Sequence, residues 1–316
     1  GENMGQFRYY GTRPDDPNDV FPHEHRRELR GLLVFSAWLN HDDSRAINTL
    51  DMLVQENGKQ FIRHHLIDFG SILGSGSVTE QKPRAGYEYL WEPGIAFTRI
   101  LTLGLYDRHW IHIRYPIYPS IGRIEADYFR PEDWKPEYPN PAFDNCLPED
   151  AYWAAKIVLS FTDMEIRKIA ETGQLSDKWA EEYLAQCIIK RRDKIGRYWL
   201  NQVNAVDQFE VDPAGGLKFE DVAVRQGVAT KPAAYTATWF RYDNLKDRKT
   251  ALGFTQETPV SPLSIPHQAL EGRMGEYFTV QIRRNTAESG KIPKAAHVYL
   301  RREAGGLKVV GIEREE

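Results

Sequence analysis

In "NHDDSRAIN", residues 40–48, Asp43 and Asn48 stand five positions apart, and further on the chain reads "LIDFG", with Asp68, Phe69 and Gly70. Carboxylates and an amide are hard oxygen donors, the kind Mg²⁺ takes. Phosphoryl transfer from ATP needs such a set. It asks the protein for little covalent chemistry, only a carboxylate to orient the acceptor hydroxyl and oxygen ligands to hold the metal on the phosphates. Arg45, beside Asp43, either meets a phosphate or is a solvated loop residue. The same residues have a plainer use. Asp43 can cap a turn, Asn48 can form an Asx-turn before a hairpin, and Asp68 can satisfy main-chain N–H groups.

Other constellations are weaker. His41, Asp42 and Asp43 together with Asp68 would suit a divalent-metal hydrolase. "HEHRRELR" lacks the His-Glu-x-x-His spacing of a zinc helix. His64 and His65 are neighbours on a strand, so they point to opposite faces and cannot share a metal. No Gly-x-Ser-x-Gly elbow is present. Cys146 and Cys187 have no neighbouring His and no metal-type spacing, which leaves the redox compartment open. "GSILGSGSV" (70–78) lacks the Gly-Lys-Ser/Thr ending of a phosphate loop and reads as flexible linker.

The elements that must position these groups are legible in part. Apolar residues Leu29, Leu32, Leu33, Phe35 and Trp38 recur near a 3.6 period, predicting a helix from about Glu24 to Leu39. "TLDMLV" (49–54) and "QFIRHHLIDF" (60–69) are strand-like, and Asn57-Gly58 between them is a hairpin signal. The Gly- and Ser-rich stretch after Asp-Phe-Gly is expected to be a mobile loop. Residues 112–148 carry too many prolines for long helices. Two helices follow: "PEDAYWAAKIVLSF" with its continuation "TDMEIRKIAETG", opened by a Thr162–Glu165 capping box and stopped at Gly173, and "SDKWAEEYLAQCIIKRRDKIGRYWLNQV", with Ser176 as N-cap. From about 206 the texture alternates between apolar and polar: "LKFEDVAV", "AAYTATWFRYDN", "EYFTVQIRRN", "AHVYLRRE", "LKVVGIERE". That pattern predicts an antiparallel β domain, a small sandwich.

The order helix, Asp43, Asn48, strand, turn, strand, Asp-Phe-Gly resembles the catalytic half of the protein-kinase-like superfamily. It is most similar to the divergent branch with HipA-type, CotH-type and secretory-pathway kinases and the phosphatidylinositol kinases. Wording such as "PHEHRRELRGL" and "IKRRDKIGRYWL" resembles a large bacterial protein family. The resemblance implies Mg²⁺ and ATP as cofactors, a nucleotide and a phosphate acceptor as partners, Asp43 as base or orienter, Asn48 and Asp68 as metal ligands, and Gly70 as part of the cofactor-binding Asp-Phe-Gly triplet. It also implies an α+β chain: a lead-in at 1–22, a mainly helical kinase C-lobe-like domain at 23–205 with a hairpin at about 49–69, and a β-sandwich at 206–316. Two departures matter. Asp42 stands where many kinases carry Arg, and only 23 residues precede the predicted helix, with no glycine-rich lobe or Val-Ala-Ile-Lys-like strand. The module would therefore need a missing N-lobe segment or a separate chain. Otherwise it is a pseudokinase-like scaffold with a β-sandwich binding domain, non-catalytic and structural or interacting.

Composition sets outer limits. The 316 residues, 41% hydrophobic and 27% charged, suit a globular chain long enough for two domains. A net charge of −4 gives no general attraction to nucleic acid. The basic run "KRRDK" (190–194) reads as a solvated helix face. No apolar run approaches the ~20 residues of a membrane span, and no signal peptide is visible. Bacterial cytoplasm and periplasm both remain open.

Overall fold

The computed structural model describes residues 1–285 and 294–315. The chain is α+β, with eight α-helices among the described residues and several antiparallel sheets. It divides into two compact units, Gly1–Tyr198 and Trp199–Glu316. No helix is long and apolar enough to cross a membrane.

In the first unit a short strand β1 (Glu2–Asn3) precedes helix α1 (Arg27–Leu39). The hairpin β2 (Thr49–Glu56) and β3 (Lys59–Leu66) follows, then the two-residue strands β4 (Ser75–Gly76) and β5 (Thr79–Glu80). Helices α2 (Pro93–Leu101), α3 (Pro141–Asp144), α4 (Pro148–Val158), α5 (Asp163–Glu171) and α6 (Lys178–Trp199) complete it. The lead-in is less irregular than its composition suggests. β1 adds an edge to the hairpin through Glu2–Leu53 and Asn3–Met52, and Phe7 and Tyr9 are buried. The hairpin turns at Asn57 and Gly58, both left-handed (φ 51° and 74°), as an Asn-Gly turn requires.

Helix α1 packs on α4. The small residues Ala151, Ala154 and Ala155 and the bulkier Val34, Trp38 and Val158 are buried. Helix α5 opens with the Thr162–Glu165 capping box. Helix α6 starts one residue later than Ser176 would have it. Asp177 caps the first turn by taking the Trp179 N–H at 2.8 Å.

The second unit holds β6 (Val206–Val211), β7 (Gly216–Asp221), α7 (Val222–Arg225), β8 (Ala234–Asp243) and β9 (Arg248–Thr258). Then come β10 (Leu263–Ser264), α8 (His267–Leu270), β11 (Tyr277–Asn285), β12 (Ala295–Glu303) and β13 (Gly306–Arg314). One sheet has the order β13-β12-β11-β8-β9 and the other β10-β7-β6. Alternate residues of β8 (Ala237, Trp239), β11 (Phe278, Val280, Ile282) and β12 (Ala296, Val298, Leu300) join Leu217 and Phe219 of β7 in one buried cluster. The period of two in the sequence is the period of this core. Two readings there shift. "VAV" leaves the strand as the helical turn α7, because the Asp221 carboxylate takes the Val224 N–H. The unit also begins at Trp199 instead of 206, since Leu200, Val203 and Ala205 are buried before any alternation starts.

Candidate functional site

Helix α1 stops at Asn40, which is left-handed (φ 52°, ψ 44°) and returns its N–H to the last turn. From there the side chains of one buried polar network take over. Asn40 donates to Gln81 Oε1 and accepts from the Trp134 indole, both at 2.8 Å. Gln81 donates to Asp42 Oδ1 at 2.8 Å, and the Ser71 hydroxyl donates to the same oxygen at 2.5 Å. His41 Nδ1 lies 3.1 Å from Ser71 O, with its ring 5.7 Å from that of Phe69. The stretch after Asp-Phe-Gly is thus stitched to the loop and does not stand off as free linker. Gly86 is obligatory there: at φ 85°, an added Cβ would lie 2.4 Å from Asn40 Oδ1.

The adjacent aspartates do opposite things. Asp42 is buried, and that burial raises its pKa, assisted by the Glu137 carboxylate and opposed by the Ser71 and Gln81 bonds. Asp43 also loses solvent, but hydrogen bonds from Arg45 and Asn48 outweigh that and hold its carboxyl below the usual range. Arg45 grips both Asp43 oxygens in a fork, with Nη2 at 2.9 Å from Oδ2, and lies over the Tyr138 ring at 4.7 Å.

Asn48, mostly buried, donates Nδ2 to the main-chain carbonyl of Asp43 at 2.8 Å. Its Oδ1 has no hydrogen bond among the described residues. The hairpin register pairs Thr49 with Leu66, and the Ile67 N–H donates to Asn48 O at 2.9 Å. That ties Ile67, the residue after the strand, to Asn48, and Asp68 follows Ile67 in the chain. Asp68 is exposed and left-handed (φ 60°), and its Oδ1 accepts the Gly70 N–H at 3.0 Å. At Gly70 a Cβ would sit 2.1 Å from Ser77 Oγ, so a side chain there would require Ser77 to shift.

The loop and the Asp-Phe-Gly turn are therefore neighbours, linked through Asn48, while Asp43 turns its carboxylate to Arg45. Among the described residues no group of three His, Cys, Asp or Glu side chains is placed to hold a metal. The hydrolase constellation of His41, Asp42, Asp43 and Asp68 is accordingly not assembled; His41 and Asp42 serve Ser71.

Two residues outside the expected set support this region. Arg191 lies inside the run "KRRDK", yet it is 3% exposed. It donates to the carbonyls of Ala37, Trp38 and Glu125, with Nε 2.9 Å from Trp38 O. It staples α6 to the end of α1, three residues ahead of Asn40. A helical wheel gives the hint: Cys187, Ile188, Arg191 and Ile195 share one face. Asp51 is fully buried in β2 between Arg13 Nη1 at 2.9 Å and His64 Nδ1 at 2.5 Å. The strand pairing Asp51–His64 makes that contact.

Compared with family models, with curated proteins and with solved structures, the chain finds no match.

Proposed function

We propose that the first unit is a kinase C-lobe-like domain carrying a Mg-nucleotide site, and that the two sheets of the second unit form an accessory sandwich. One observation carries the reading. Asn48 directs its amide N–H donors to Asp43 and keeps Oδ1 unbonded, and its own main chain is tied to Ile67, next to Asp68 in the chain. An amide oxygen and a carboxylate are donors of the type Mg²⁺ selects. Asn48 and Asp68 would hold the ion, which when bound neutralises charge on the phosphates.

Asp43 suits orientation better than proton abstraction. Its lowered pKa makes it a weak base, and phosphoryl transfer through a loose transition state depends more on positioning the acceptor than on early deprotonation. For the acceptor to reach Asp43, Arg45 must give up its fork, and a phosphate is the natural competitor for that guanidinium. The closed Asp43–Arg45 pair itself favours the second reading, a non-catalytic interaction protein built on the same scaffold.

Isothermal titration of the full chain with Mg-ATP separates the two. The first reading expects micromolar, magnesium-dependent binding that Asn48→Ala abolishes. Absence of heat at millimolar nucleotide establishes the second.

A further inference from the structure

Residues 90–117 carry an apolar surface that no part of the first unit covers. Helix α2 has no buried residue along its length. Phe97 is 62% exposed, Ile100 71% and Leu101 67%. Beyond the helix the chain turns at Gly104 (φ 85°) and leaves Leu103 and Leu105 bare, at 91% and 87%. Trp91, Tyr106, Ile111 and Ile117 are also exposed. Single exposed apolar residues are ordinary, but a contiguous group of this size marks an interaction surface.

Its charge identifies the partner. Between Leu90 and Ile117 three Arg stand against Glu92 and Asp107, a net of +1 in a chain of net −4, and Glu92 is itself paired with Lys135 at 2.8 Å. Asp107 is held by His112 at 2.6 Å, and Arg108 by Glu88 at 3.0 Å. Arg99 and Arg114 are exposed and make no ion pair among the described residues. A protein partner would need a surface matched to these particular side chains. A lipid interface accepts any apolar protrusion, with Trp and Tyr at headgroup depth and cations against anionic lipid. We propose that residues 90–117 dock this chain onto an anionic lipid surface, with Phe97, Ile100, Leu101, Leu103 and Leu105 entering the interface and Arg99 and Arg114 meeting headgroup phosphates. The segment lies on the membrane and does not span it.

The test is co-sedimentation of the full chain with vesicles of phosphatidylcholine alone and of equal parts phosphatidylcholine and phosphatidylserine. The mixed vesicles should bind the chain, and the neutral ones should bind it about 25-fold more weakly, given about fivefold for each of the two cations near a charged surface. Ile100→Glu with Leu103→Glu should abolish binding, and Arg99→Glu with Arg114→Glu should remove the preference for phosphatidylserine. All four positions are exposed, so the thermal unfolding midpoint should stay in place, and its constancy certifies the variants. Failure to sediment with either vesicle overturns the proposal, as does binding that these variants leave unchanged. Concentration-dependent dimerisation lost in Ile100→Glu/Leu103→Glu, without vesicle binding, would assign the surface to a second copy of the chain and overturn it equally.

Discussion

The loop at 40–48 and the five-stranded sheet of the second unit are both interior structures, held by opposite means. In the sheet, Trp239, Phe278, Val280, Ile282, Val298 and Leu300 exclude water by apolar contact alone. In the loop, Asn40, Asp42, Ser71 and Gln81 are joined by hydrogen bonds in which each partner satisfies another. Apolar packing is forgiving of detail and rewards volume. A buried polar network is unforgiving, because removing one member strands the rest. The difference places rigidity in the sheet and chemical specificity in the loop.

Three substitutions probe that contrast, in order of expected effect. Trp239→Ala empties the centre of the sheet, where the side chain is fully buried, and should cost about 4 kcal/mol in urea unfolding. Arg191→Met keeps the volume but takes the donor from the Ala37, Trp38 and Glu125 carbonyls. It should cost about 3 kcal/mol, by the same assay. A neutral result there would show that the loop's support is packing, like the sheet's.

Asp42→Asn is the gentlest and acts through pH. The folded-state pKa of Asp42 lies above its ordinary value because burial disfavours the carboxylate. Between the unfolded value, about 3.9, and the raised folded one, the native state holds the proton more tightly than the unfolded chain. Stability from this group is therefore complete below the lower value and is lost as pH rises through the window. Asparagine cannot ionise and should flatten that slope, with little difference at acid pH and a gain at neutral pH. Parallel stability profiles for the two proteins would mean that Asp42 titrates like an exposed carboxylate.

The same contrast explains what could be read from the sequence. Alternation announced β8, β11, β12 and β13, and Asn57-Gly58 announced the hairpin, because local backbone rules set both. Strand β9 escaped because its apolar residues are few, with Leu252 and Phe254 only partly buried on the cluster. Helix α2 escaped because it is a single short segment, Pro93–Leu101, opening at a proline and with no side-chain cap to announce it. The order Asp43, Asn48, Asp68 was visible, but not the direction of each side chain. Asp42 and Asp43 look alike in sequence, and the Gln81 and Ser71 contacts, set by tertiary approach, together with the local Arg45 fork send them to different tasks. Arg191 was concealed by the basic residues around it. Lys190 and Lys194, its neighbours, do reach outward to Asp127.

The nucleotide-site claim is most directly tested by following free Mn²⁺ by electron paramagnetic resonance as the full chain is titrated with ATP present. The account predicts metal uptake by the native chain and by Asp43→Asn, which leaves both oxygen donors intact, and none by Asn48→Ala or Asp68→Ala. Equal uptake by all four proteins, or none by the native chain, would contradict it.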